Sequence, residues 1–249
     1  MVYIFLASIA PAQAEGKQSL VYDLSINGLV VGERKLDITY IPSSKSNPLG
    51  MRRIEVKTTL KATIKGEEID YSQRGTAQIS ERRSSFVVST KINNAVTEIQ
   101  GKRSKKGNWF VHKISATGLE KKEYRRSQVS AISLELFDPG HIDFWQDKEP
   151  YKILVLEGLE PVVVSGAWAM QDVVNLSSEV RSLAAKKLQG KSVQGVLNAV
   201  WSDDGMLIDW SVDIMGVELN ADIRSIPKSP NFGEITFPNA FDGVEEQEL

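Results

Sequence analysis

Alternation of apolar and polar residues with a period of two dominates this chain. Leu20, Tyr22, Leu24 and Ile26 fall in one phase, and Val21, Asp23 and Ser25 in the other. Asn27-Gly28 follows, a dipeptide suited to the positive φ angles of a two-residue hairpin turn. Beyond it Leu36, Ile38 and Tyr40 alternate with Lys35, Asp37 and Thr39. Alternation on both sides of an Asn-Gly pair predicts a hairpin with one wet and one dry face.

The pattern recurs. Ile54, Val56, Leu60, Ala62 and Ile64 share a phase, opposite Glu55, Lys57, Lys61 and Lys65. Gly66 turns the chain into a segment carrying Ile69, Tyr71, Ala77 and Ile79 in register. Phe86, Val88 and Ile92 continue the series, Asn93-Asn94 marks a turn, and a strand is expected near Ala95–Ile99. A turn at Lys105-Lys106-Gly107-Asn108 leads into another strand, Trp109 to Ile114. Toward the C-terminus, Val193 to Trp201 reads as a strand and Asp203-Asp204-Gly205 as a turn. Met206, Ile208, Trp210, Val212 and Ile214 then alternate, and Val217, Leu219, Ala221 and Ile223 finish the series.

Two stretches carry helical spacing instead. Leu176, Val180, Leu183 and Leu188 recur at helical intervals, with Lys186-Lys187 in the last turn and Gly190 as a stop. The second is SQVSAISLELF, Ser127 to Phe137, ending at Asp138-Pro139-Gly140. The predicted fold is therefore mainly β: a single large curved antiparallel sheet, half-barrel or barrel-like, with one or two helices packed on its concave face. The domain covers residues 15–235, with a helical insertion around 128–190, and residues 236–249 form an acidic tail. The first hairpin is expected at the sheet's end, as scaffold.

The first fourteen residues stand apart from this pattern. An apolar run from Val2 to Ile9 precedes Pro11 and Ala12-Gln13-Ala14. Small residues three and one positions before a cut suit signal peptidase, and the run is too short to span a bilayer. No Lys or Arg precedes Lys17, so the basic region of an export signal is missing, and a buried N-terminal strand is the competing reading. Residues 1–14 are read as a signal peptide cleaved after Ala14, giving a periplasmic or secreted protein.

Composition narrows the chemistry. The 249 residues include no cysteine, which excludes disulfides, thiolate metal sites and cysteine nucleophiles. Two histidines leave little for a metal centre or an acid–base relay, so no cofactor and no metal are expected. A net charge of −2 gives no reason to expect a nucleic-acid partner.

Tyr22-Asp23, Gly28, Gly32 and the terminal run WSDDGMLIDWSVDIMGVELNADI resemble uncharacterised periplasmic β-rich families of proteobacteria, domains of unknown function. The resemblance spans most of the mature chain and rests on pattern. Such families are akin in shape to the Lol-type lipoprotein carriers, whose curved sheet wraps around helices and holds an acyl chain. By that analogy the fold implies a ligand groove.

Candidate chemistry is sparse. Asp138, His141 and Asp143 in FDPGHIDFW offer three ligands or a His–Asp pair, yet Asp-Pro-Gly is turn chemistry in its own right. No G-x-S-x-G, G-x-G-x-x-G or P-loop occurs. Lys102, Arg103, Lys105, Lys106, Lys121, Lys122, Arg125 and Arg126 form a basic region near Trp109 and Tyr124. It suits contact with an anionic surface, including peripheral membrane contact, or else it is a lysine-protected sheet edge.

The apolar strand positions outnumber what two short helices would cover, so the dry face is expected to hold a ligand. A groove lined by some of Leu36, Ile54, Val56, Leu60, Tyr71, Phe86, Val88, Trp210 and Val212 follows. The first functional expectation is a non-enzymatic periplasmic protein carrying a hydrophobic ligand, a lipid or lipoprotein acyl chain. The alternative is a structural or interaction module of the cell envelope or of polysaccharide assembly, partnered by an envelope protein. A hydrolase using Asp138, His141 and Asp143 ranks below both.

Overall fold

The computed structural model describes residues 16–42, 50–80, 83–137, 151–175, 182–192, 195–202, 207–214 and 217–224. The signal-peptide and acidic-tail assignments, and the Asp138–His141–Asp143 cluster, lie outside these residues. The strands are β1 (Gly16–Ile26), β2 (Leu29–Ile41), β3 (Met51–Ile64), β4 (Glu67–Ile79), β5 (Ser85–Ile92), β6 (Ala95–Arg103), β7 (Trp109–Ser115) and β8 (Gly118–Tyr124). They continue as β9 (Ala131–Ile132), β10 (Tyr151–Val155), β11 (Val162–Asn175), β12 (Ser182–Ser192), β13 (Gly195–Ser202), β14 (Leu207–Ile214) and β15 (Val217–Ile223). All belong to one 15-stranded sheet in the order β8-β7-β6-β5-β4-β3-β2-β1-β15-β14-β13-β12-β11-β10-β9. Each neighbouring pair is antiparallel except β9 and β10, which run parallel.

The local chemistry of the first hairpin is as the sequence predicts. Asn27 and Gly28 adopt φ of 50° and 77°, the left-handed pair that lets two residues reverse a twisted ribbon. One slip interrupts the ladder: Leu24 faces Gly32 and Ser25 faces Val30, leaving Val31 as the extra residue of a bulge. Gly32 is required for a separate reason. A Cβ there would stand 2.2 Å from the Thr59 carbonyl oxygen, so β3 approaches closer than any side chain permits.

The hairpin's place in the sheet differs from expectation. β1 pairs with β15 through Tyr22–Ile223 to Ile26–Leu219, which puts the hairpin in the middle of the strand order. The two ends of the sheet are β8 and β9, so the sheet is not closed into a barrel.

Neither predicted helix forms among the described residues, and Leu176 and Val180 of the first lie outside them. Residues 182–192 of the first one form β12, paired to β11 through Trp168–Leu188 and to β13 through Leu188–Ala199. Two long neighbours would each lose a ladder of backbone hydrogen bonds if this segment coiled, and that outweighs a weak helical spacing. The second stretch forms only β9 and a single 3₁₀ turn, Ser133–Phe137, all five residues of which are buried. The insertion expected around 128–190 is thus mostly strand among its described residues.

One large core of buried residues joins strands from both halves of the sheet to the 3₁₀ turn. Contact across it requires the sheet to roll. The Tyr71 hydroxyl on β4 donates to the Glu157 carbonyl, just past β10, at 2.8 Å, and Gln73 Nε2 donates to the Leu156 carbonyl at 2.8 Å. Lys113 on β7 pairs with Glu160. The β9–β10 edge is therefore turned in against the inner face of β2–β7.

Candidate functional site

All nine residues predicted to line a groove face the interior, and the structure brings them into one cluster. Leu36 and Ile54 are fully buried, and Val212, the most accessible, is 8% exposed. Among the described residues, this inner face is covered by the chain itself, through Val129–Phe137 and Tyr151–Glu157, where helices were expected.

A polar row that sequence reasoning overlooked crosses this apolar face. Register pairs Tyr22 with Arg34, Arg34 with Thr58, Thr58 with Gln73, Gln73 with Thr90 and Thr90 with Thr97. These side chains lie on six successive strands and all are buried. The sequence did carry a trace of them. Arg34 shares the phase of Leu36 and Ile38, Thr58 that of Val56 and Leu60, and Gln73 that of Tyr71. A polar residue in the dry phase of consecutive strands marks an interior polar site.

The row receives the irregular backbone after β10. Arg34 Nη2 donates to Glu157 Oε1 at 3.1 Å, with the two side chains 1% and 4% exposed. Glu157 Oε2 accepts from the Leu156 amide at 2.9 Å, and that amide is also 3.2 Å from the Ser133 hydroxyl. Gln73 Nε2 bridges the Leu156 carbonyl and Thr90 Oγ1. The guanidinium is held between rings, 4.7 Å from the Phe137 centroid and 5.0 Å from that of Trp210. Tyr22 stacks edge-on against Phe137, and its hydroxyl donates to the Leu207 carbonyl at 2.8 Å. Burial pushes the Tyr22 and Tyr71 phenols well above the ordinary tyrosine range, while the Arg34 charge acts in the opposite sense. Both phenols stay protonated donors. Buried polar groups need such partners, and the arrangement clamps a strap of chain onto the sheet.

The eight predicted basic residues gather loosely at one end of the sheet. The β6–β7 turn meets the exit of β8, where the Arg126 amide donates to Asn108 Oδ1 at 3.2 Å and the Arg126 side chain lies over Gly107. Asn108 Nδ2 in turn donates to Glu123 at 2.8 Å. Lys102, Lys105, Lys106, Lys121, Lys122, Arg125 and Arg126 are exposed and Arg103 is partly so. Trp109 and Tyr124, expected at the rim, are instead buried in the core. Among the described residues, only Lys122 of the eight meets an aromatic face, 4.8 Å from the Tyr124 centroid. Because β8 is a sheet edge, its lysines occupy the place where charge blocks edge-to-edge pairing.

The outer face of β5–β8 carries Val87, Val96, Phe110, Ile114 and Leu119, all exposed, with Ile114 directly opposite Leu119. Among the described residues, no group of three or more His, Asp or Glu side chains is disposed to hold a metal ion.

No protein-family model matches the sequence. No curated protein sequence matches it either. Among solved structures it is similar to a β-barrel-like protein of the domain of unknown function DUF1849 from Brucella abortus. The TM-score is 0.55 at 10% identity, over 85% of this chain and 97% of that one. At that identity the likeness concerns the fold: a β-rich, barrel-like sheet.

Proposed function

We propose that this protein is a non-enzymatic, exported interaction module of the cell envelope, acting through its outer surface. One observation carries the reading. Among the described residues, the inner face, which a carrier would offer to a lipid, is covered by the chain's own 3₁₀ turn and β10 strap. Among the described residues, five of the seven large exposed apolar side chains lie instead on the outer face of β5–β8, the other two being Leu29 and Val30 of the first hairpin.

Carriage of a hydrophobic ligand is the second reading, favoured by one feature. The strap after β10 is irregular and held by side-chain hydrogen bonds to Arg34, Tyr71 and Gln73, so a ligand could compete for that face. Mass spectrometry of lipids extracted from the purified protein separates the two. The interaction module should yield no stoichiometric lipid, and a stoichiometric acyl lipid would favour the carrier. Export is tested by the intact mass of protein from the envelope fraction, which should begin at Glu15. A full-length chain confined to the cytoplasm would refute it.

A further inference from the structure

We propose that the outer face of β3–β5 is a binding site for a phosphate-class oxyanion, held by Lys57, Arg74 and Lys91 with the hydroxyls of Thr59, Ser72 and Ser89. The ladder sets these six residues in two adjacent rows. Lys57 faces Arg74, which faces Ser89, and Thr59 faces Ser72, which faces Lys91. Facing side chains in a sheet stand about 5 Å apart at Cβ and successive rows about 7 Å. Three long cationic side chains therefore reach one point, with three hydroxyls beneath them. A shallow cavity of about 200 Å³ is lined by these residues. A water occupies roughly 30 Å³, so an oxyanion fits there with several retained waters.

Ordinary surface charge does not account for this arrangement. Like charges directly opposed on a sheet are destabilising, yet Lys35, Lys57 and Arg74 follow one another across three strands. Nearby cations on the same face have carboxylates: Lys35 with Asp37 at 3.6 Å, Arg53 with Glu55 at 3.0 Å, and Lys61 with Asp70 at 3.9 Å. Among the described residues, Lys57, Arg74 and Lys91 have none. The other acidic residues flanking them in register are engaged elsewhere, Glu33 by Arg224 and Glu98 by the Gln100 side-chain amide. Lysines that guard a sheet against aggregation belong on its edges, whereas β3, β4 and β5 are interior strands. A planar guanidinium flanked by two ammonium groups and hydroxyl donors matches the several acceptor oxygens of a phosphate.

The test is amide chemical-shift titration of the full chain with inorganic phosphate, alongside flotation with phosphatidylglycerol and phosphatidylcholine vesicles. Saturable shifts should cluster at residues 57–59, 72–74 and 89–91. Arg74→Gln should weaken binding roughly ten-fold, the loss of one charge-assisted contact. The triple variant Lys57→Gln, Arg74→Gln, Lys91→Gln should abolish it, while Lys61→Gln, on the same strand but paired, should not change it. Phosphate binding without vesicle preference assigns a free anion. Preference for phosphatidylglycerol vesicles that the triple variant loses assigns a lipid headgroup. Absence of both saturable shifts and vesicle preference overturns the proposal, as do shifts or vesicle preference that persist unchanged in the triple variant.

Discussion

Replacing Glu157 by leucine should destabilise the protein more than almost any other single change at the inner face. The carboxylate is the buried partner of Arg34, and both side chains are almost wholly inaccessible to solvent. Arginine cannot relieve its burial by losing a proton, so Glu157→Leu strands a full charge between Phe137 and Trp210. Breaking one partner of a buried pair costs about 3–5 kcal/mol. With a urea m-value of roughly 2–3 kcal/mol/M, the unfolding midpoint should fall by about 1–2.5 M. Removing both charges is a different matter. The double variant Arg34→Met, Glu157→Leu leaves a thioether against the two rings, a contact those rings accept. It also keeps the donations from Tyr71 and Gln73 to the strap. It should recover most of the loss, giving a coupling energy of about 2 kcal/mol or more in a double-mutant cycle. The assay is urea unfolding followed by tryptophan fluorescence, since Trp210 reports on the site directly. Strictly additive effects, or a cost below about 0.5 kcal/mol for Glu157→Leu, would refute the clamp.

Three further outcomes are expected. Tyr71→Phe deprives the Glu157 carbonyl of its 2.8 Å donor and should cost about 1–3 kcal/mol in the same unfolding assay. Gly101→Ala would set a Cβ 2.1 Å from the Phe86 ring, pushing it toward Trp109 at 5.5 Å, and should cost about 1–3 kcal/mol by calorimetry. Asp222 is held above the usual aspartate range, first by partial burial and then by Asp23 directly opposite. Its folded form keeps a proton that the unfolded chain has already lost, so its contribution to stability is full at low pH and falls as pH rises through the folded value. Asp222→Asn should accordingly gain stability relative to the unmodified chain on going from about pH 3 to pH 6, measured by urea midpoints; a constant difference would refute this.

The sequence by itself determined the sheet and much of its local geometry. Alternation sorted inward from outward residues because successive strand side chains face opposite ways, and Leu36, Ile54 and Phe86 are buried as their phase requires. Asn27-Gly28 set a two-residue turn because it accepts positive φ at both positions. Long-range pairing was decided elsewhere. Nothing in the first hairpin says that β1 will pair with β15 and so sit mid-sheet. Nor does the pattern of β8 announce a strand. Every residue of it except Tyr124 is exposed, and an edge of that kind has no dry face to write into the sequence. Residues 182–192 carry helical spacing yet form a strand for a related reason, since only the ladders waiting on β11 and β13 make a strand there more favourable than a helix. The polar row shows the division most plainly. Arg34, Thr58, Gln73 and Thr90 each interrupt a dry phase that is legible strand by strand. That the interruptions align, and that Glu157 arrives from the opposite end of the sheet to meet Arg34, follows from register and rolling, which are properties of the folded sheet and not of any one segment.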